Sequence, residues 1–184
     1  NHASYYPGAT NIVLKMNFGE DGTIYGAQAL GQEGVDKRID VIATAIKGNL
    51  TIYDLQEIEV AYAPPYNAAK DPVNILGYVA ENMLNDDVRL VNYDELDEYL
   101  AAENGILIDV RTKTEFENGA IPNAIHMDVD TLRENLDFFD KNKKYVIYCQ
   151  IGLRGYLAQR ILRNNDIDSV NLNGGYGLWK PVNS

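Results

Sequence analysis

From residue 88 onward, short apolar runs alternate with stretches of helical spacing, and that rhythm restricts the fold more than any other feature of the chain. Residues 88–91, 106–110, 145–148 and 169–172 are rich in aliphatic, β-branched and aromatic side chains and read as strands. Between them the sequence predicts a helix over about 93–100, with Asn92 and Glu95 as start signals, and a capping box in Thr112-Lys113-Thr114-Glu115. A helix near 130–137 follows, then one from Gly155, where Leu157, Ile161 and Leu162 recur at helical spacing. Strands separated by helices pack as a parallel sheet covered on both faces. Ligands of such sheets gather at the carboxyl ends of the strands, which is where Asp109, Arg111 and Cys149 stand.

Cys149 is the chain's single cysteine, and it falls between a strand and a helix start, in Tyr-Cys-Gln-Ile-Gly-Leu-Arg-Gly-Tyr. A lone cysteine is ordinarily a small buried hydrophobe. Here two glycines and an arginine within six residues favour chemistry instead. The first N–H groups of a helix have no partners within it and favour an anion, and a thiolate is one. Gly152 and Gly155 are expected to turn loop amides inward, and Arg154 to add a permanent cation. The expected result is a nucleophilic sulfur at Cys149, bound by Gln150, Ile151, Gly152, Leu153 and Gly155. Asp109 and Arg111 are expected to form a supporting ion pair beneath the loop. His126 reads as a core or interface histidine, and no cluster of metal-ligand spacing surrounds it, so no metal is expected. Tyr176 and Trp179 read as packing.

A loop with four residues between Cys149 and Arg154 resembles the active-site loop of the rhodanese family of sulfurtransferases. The segments Ile108-Asp109-Val110-Arg111, Glu115-Phe116-Glu117-Asn118-Gly119-Ala120-Ile121-Pro122-Asn123-Ala124 and Asn173-Gly174-Gly175-Tyr176 are similar to that family's marker stretches, with Asn118 and Ala120 departing from the commoner residues. The resemblance implies an α/β rhodanese-like domain in which Cys149 accepts sulfane sulfur from small sulfur compounds, with Arg154 and the loop amides holding the sulfur anion. Cysteine phosphatases, with a His before the Cys and a loop one residue longer, are the alternative of related mechanism. A non-catalytic sulfur carrier or dimerisation module is the alternative from another class.

The polar run Asn85-Asp86-Asp87 marks a domain boundary, giving domains 1–85 and 86–184. With 184 residues, 46% of them hydrophobic, each half is able to bury a core. No apolar run is long enough to span a bilayer. The net charge of −11 is spread over both halves, so no basic face for nucleic acid is expected. One cysteine makes no intrachain disulfide, which fits a reducing, cytoplasmic setting. The chain begins at Asn1 without an initiator Met or a signal-peptide pattern, and is expected to be a piece of something longer.

In the first half, 11–17 alternates in polarity and 23–30 follows a Glu20-Asp21-Gly22 turn, which predicts a β-hairpin. Val35, Ile39, Ile42 and Ile46 recur at helical spacing, with Gly48-Asn49 as a left-handed cap. Thr51 with Asp54 starts a short helix through about Glu57, and Asp71-Pro72 starts one running to about Leu84. Tyr62 and Tyr66 lie in the proline-stiffened Ala63-Pro64-Pro65 region, where packing is the ordinary role of a tyrosine.

The segments His2-Ala3-Ser4-Tyr5-Tyr6-Pro7-Gly8, Gly34-Val35-Asp36-Lys37-Arg38-Ile39-Asp40-Val41, Tyr62-Ala63-Pro64-Pro65-Tyr66 and Lys70-Asp71-Pro72-Val73-Asn74 are similar to the C-terminal dimerisation domain of flavin-dependent pyridine nucleotide-disulfide oxidoreductases, in the coenzyme A-disulfide reductase and NADH oxidase branch. Some members of that branch carry a C-terminal rhodanese domain. The resemblance implies an α+β domain, a small antiparallel sheet plus helices, that forms a homodimer through residues 1–85. It also implies that Tyr6, Tyr62 and, less centrally, Tyr66 reach the partner subunit's flavin site. No Gly-x-Gly-x-x-Gly turn is present, so this chain is expected to bind no cofactor itself. FAD, NAD(P)H and coenzyme A are implied for the full-length protein, the first two held by N-terminal domains outside this sequence.

Overall fold

The computed structural model describes residues 2–183. The chain divides into two compact units, Asn1–Asn85 and Asp86–Ser184.

The first unit opens on an antiparallel hairpin, β1 (Ile12–Phe18) and β2 (Ile24–Gly31). Along β1 the half-buried Ile12, Leu14, Met16 and Phe18 alternate with exposed residues, as expected of a two-sided ribbon. The turn is fixed by Gly22 at φ 83° and by Asp21, whose carboxylate accepts the Thr23 N–H at 3.0 Å. Three helices follow: α1 (Val35–Lys47), α2 (Ile52–Glu57) and α3 (Pro72–Leu84). Thr51 and Asp54 close a capping box on α2, and Asp71 caps α3 by accepting the Val73 N–H at 2.9 Å. The cap after α1 differs from expectation in one residue: Gly48 keeps an ordinary φ of −82°, and Asn49 takes the left-handed conformation at 56°. A side-chain amide tolerates that region better than most residues. The core gathers Ile24, Ile42, Ile52, Leu55, Val73 and Ala80 from β2 and the three helices, with Met16 and Phe18 of β1 packed against it.

The second unit is a five-stranded parallel sheet in the order β3-β7-β6-β4-β5. Its strands are β3 (Leu90–Val91), β4 (Ile106–Asp109), β5 (Ile125–His126), β6 (Tyr145–Tyr148) and β7 (Ser169–Leu172). The central strand β6 is buried along its whole length and divides its side chains between two cores. Tyr145 and Ile147 join Leu132, Ala158 and Leu162 on one face. Val146 and Tyr148 join Leu96, Leu172 and Tyr176 on the other. The helices covering these faces are α4 (Leu96–Ala102), α5 (Lys113–Glu117), a 3-10 helix over Val129–Phe138, α6 (Leu153–Arg163) and α7 (Gly175–Val182). No helix among the described residues is long and apolar enough to cross a membrane.

Several boundaries depart from the sequence reading. The edge strand β3 is only two residues long, since it pairs with β7 alone. α4 begins at Leu96, because Glu95 uses its carboxylate to hold the Asn92 N–H and Nδ2 at 3.2 and 3.0 Å in a turn before the helix. The predicted helix near 130–137 is a 3-10 helix broken at Asn135, whose φ is −116°. α7 was not foreseen: Gly174 and Gly175, at φ 75° and 58°, open a helix.

Candidate active-site loop

Cys149 follows β6 directly, with only 1% of its surface exposed and its side chain against the Ile147 and Ala158 core. Its sulfur nevertheless faces the loop, because the Gly152 N–H donates to Sγ at 3.1 Å. Gly152 has φ 125°, a conformation open to glycine, and forms the N-cap of α6. The remaining loop amides are oriented by what their carbonyls do. The Cys149 and Gln150 carbonyls accept the N–H groups of Tyr176 and Gly177, both at 2.8 Å, from the first turn of α7. The Gly152 carbonyl accepts the Tyr156 N–H at 2.8 Å and Asn171 Nδ2 at 3.2 Å. None of these peptides is cis, and in a trans peptide the N–H points opposite to the C=O. With these carbonyls engaged, the N–H groups of Gln150, Ile151 and Leu153 point away from those partners, and Leu153 is the first residue of α6, at the positive end of the helix.

Two residues expected in the loop do a different job. Leu153, Arg154 and Gly155 form the first turn of α6, and Gly155 has no positive φ. Its glycine is required by Asn171 on β7, whose Oδ1 occupies the space a Cβ would take. Arg154 is not devoted to the sulfur: Nη1 and Nη2 each donate to one Glu115 oxygen at 2.7 Å. Glu115 in turn accepts the Thr112 N–H at 2.9 Å and Oγ1 at 2.8 Å, closing the capping box of α5. The Arg154 guanidinium, followed by Thr112, holds the Glu115 carboxyl down to about 2. The Arg154 pKa rises above its ordinary value, mostly through Glu115, with a smaller upward push from Cys149 and burial acting against it.

Asp109 and Arg111 meet at the end of β4 in a buried ion pair, Nη2 to Oδ2 at 2.6 Å, with Arg111 Nε shared between both oxygens at 3.0 Å. The same guanidinium donates to the Gly119 carbonyl at 2.8 Å and to Gln150 Oε1 at 3.4 Å, and stacks 4.1 Å from the Tyr176 ring centroid. A buried charge with this many partners links β4, the loop and α7. His126 Nε2 lies 2.8 Å from the Arg111 carbonyl, which only accepts, so that nitrogen carries the proton. No group of three or more His, Cys, Asp or Glu able to hold a metal occurs among the described residues.

In the first unit, Tyr62 and Tyr66 are 50% and 74% exposed, and Tyr6 is also exposed. The Tyr62 hydroxyl pairs with Tyr5, not Tyr6, at 3.3 Å. Beneath them Arg38 is fully buried, donating Nε to Asp71 at 3.1 Å and Nη2 to Asn67 Oδ1 at 2.9 Å. The Asn67 carbonyl accepts the Ala3 N–H at 3.1 Å, so this network ties both tyrosine-bearing segments together. An open groove of about 600 Å³ beside Tyr62 is lined by Gln56, Lys70, Asn74 and Tyr78.

Residues 92–181 match the family model of the rhodanese-like domain. These residues are a rhodanese-like domain. The chain is also 51% identical across 83 residues to coenzyme A disulfide reductase of Staphylococcus haemolyticus strain JCSC1435, a match covering 45% of this chain and 19% of the relative. The crystal structure of reduced Bacillus anthracis CoADR-RHD is 47% identical, covers 98% of this chain and 32% of its own, and superposes with a TM-score of 0.94. A NAD-dependent persulfide reductase from A. fulgidus is 37% identical, covers 97% of this chain and 32% of its own, at a TM-score of 0.87. The chain is thus homologous to parts of these proteins and spans about a third of their length or less.

In the rhodanese-like domain the structure brings Cys149, Gln150, Gly152, Arg154, Asp109 and Arg111 into one connected network, while Ile151 and Leu153 stand exposed at its rim. Sequence reasoning missed the parts Glu115, Asn171, Tyr176 and Gly177 play. Glu115 was visible as a capping residue and in a marker stretch, and no local pattern announces a partner 39 positions away.

Proposed function

We propose that this chain is the C-terminal part of a flavoprotein that reduces coenzyme A disulfide or a related persulfide or polysulfide, and that its rhodanese-like domain carries sulfane sulfur on Cys149. The observation that carries this reading is the seat of the sulfur: Gly152 N–H on Sγ, with the neighbouring carbonyls held outward by α7 and Asn171. The Cys149 thiolate attacks the outer sulfur of a donor R–S–S⁻. A new S–S bond forms on Cys149 and the donor's S–S bond breaks, its electron pair leaving with R–S⁻. The persulfide anion on Cys149 then lies before the amides of residues 150, 151 and 153, which stabilise it without having to reorganise. Attack on its outer sulfur by an acceptor thiolate reverses the step.

In this reading residues 1–85 form the homodimer contact, with Tyr6, Tyr62 and Tyr66 turned to the partner subunit's flavin site. A phenol there is suited to protonating a leaving thiolate. FAD, NAD(P)H and coenzyme A belong to the longer protein. Among the described residues the first unit is a hairpin with helices and not a βαβ unit. The homology to a coenzyme A disulfide reductase and a persulfide reductase supports the reading. Treating the chain with polysulfide and weighing the Cys149 peptide should reveal one added sulfur, absent from Cys149→Ala at any site. Equal loading of both proteins would refute the assignment.

A further inference from the structure

Arg154 is the one cationic side chain in the segment 149–155, and each of its terminal nitrogens donates to one oxygen of Glu115, with a weaker interaction towards Cys149. Glu115 is locked from its other side by Thr112, so the carboxylate has little freedom to swing away. With Glu115 titrating at about 2, the pair is doubly ionised and electrically compensated at any neutral pH. Arg111, the other arginine linked to the loop, is compensated in the same way by Asp109. What stands at the loop surface is apolar: Ile151 is 71% exposed, Leu153 65%, and Leu157, one turn further along α6, 47%. A donor approaching Cys149 meets alkyl side chains and backbone dipoles in place of an unpaired cation.

We infer that Glu115 sets the donor selectivity of Cys149: by occupying both arms of Arg154 it removes the attraction an inorganic dianion would need, and favours alkyl persulfides of low charge. This rests on the sulfur-carrying reading of Cys149. The disfavoured reaction is chemically complete. With thiosulfate, the Cys149 thiolate bonds to the outer sulfur, the S–S bond to the sulfonate breaks, and sulfite leaves with the electron pair. The difference between donors therefore lies in charge and shape, and Glu115 is a positioning residue acting through Arg154.

Glu115→Gln tests this directly, because Gln is itself a capping-box residue able to hold the Thr112 N–H while the negative charge is lost. Rates of sulfur loading onto Cys149 are measured with thiosulfate and with a short alkyl hydropersulfide, at low and high salt. In Glu115→Gln the thiosulfate-to-alkyl rate ratio should rise about fivefold or more at low salt, and the gain should shrink as salt screens the released guanidinium. Glu115→Asp, which keeps the charge, should return the ratio towards wild type. Glu117→Gln, whose carboxylate pairs with Lys113 instead, should leave it unchanged. A measurement on the unaltered chain stands apart from any folding defect: its thiosulfate rate should hold or rise with salt, since an acidic protein repels the dianion. A steep fall with salt, or a ratio unmoved in Glu115→Gln while both donors still load, would overturn the inference alone. Failure of the unaltered chain to load from either donor would remove the sulfur reading and this inference together.

Discussion

A Cβ placed on Gly155 would run into Oδ1 of Asn171, the side chain whose Nδ2 holds the Gly152 carbonyl. Gly155→Ala should therefore displace Asn171 and cost about 1–3 kcal/mol, the usual range for forcing a methyl into packed space. A denaturant midpoint measures the loss. The Gly155→Ala, Asn171→Ala double variant should be less destabilised than the two single losses added together, since truncating Asn171 vacates the space; strict additivity would contradict the contact. Glu115 gives a second residue-scale expectation. Its carboxyl is lowered from 4.5 to about 2, chiefly by Arg154. A carboxylate depressed in the folded state stabilises fully above its ordinary value and loses that contribution as pH falls through the folded one. The stability difference between the unaltered chain and Glu115→Gln should hold above pH 4.5 and close as pH approaches 2, by an amount reduced by solvent screening at this half-exposed pair. A difference constant across that window would argue against the pairing. Cys149 and Gly152 were legible because strand, cysteine and glycine are neighbours in sequence, whereas the reason for Gly155 lies sixteen positions downstream on β7.

Among the elements, those with caps made of adjacent residues were read well. Asp71 with Pro72, Thr51 with Asp54, and Thr112 with Glu115 all open helices through bonds between near neighbours. The parallel sheet followed from the strand–helix rhythm, since two-sided burial leaves little choice of residue at β4, β6 and β7. α7 escaped notice because its start depends on a tertiary contact. Gly175 sits at φ 58°, and a Cβ there would strike the Cys149 carbonyl. Gly175→Ala should lower stability and slow sulfur loading together, because the same close approach seats both the helix and the loop. A variant that loads at the unaltered rate despite a lower melting temperature would show that α7 is dispensable to the site.

For the molecule as a whole, the fold class of each unit was legible, and the interior of the first unit was not. Arg38 stands in the charged run Asp36-Lys37-Arg38, and it is buried against Asp71 and Asn67. Asp71→Ala should strand that guanidinium and cost about 3–5 kcal/mol, the range for breaking a buried pair from one side; a loss under about 1 kcal/mol would show the pair to be solvated. Tyr5, Tyr6, Tyr62 and Tyr66 are all exposed on the proposed dimer domain, and the Tyr5 and Tyr62 hydroxyls meet there. Light scattering should accordingly give twice the chain mass of 20.6 kDa, in Cys149→Ala as in the unaltered chain. A monomer would count against the dimer and against the tyrosine assignments.

The grip of Tyr176 and Gly177 on the carbonyls beside Cys149 has a temporal side. On the ribosome, a nascent chain that has reached residue 174 already carries the thiol, but the two amides that discipline its surroundings have yet to be synthesised. These two hydrogen bonds around the thiol are thereby deferred until α7 has emerged and docked.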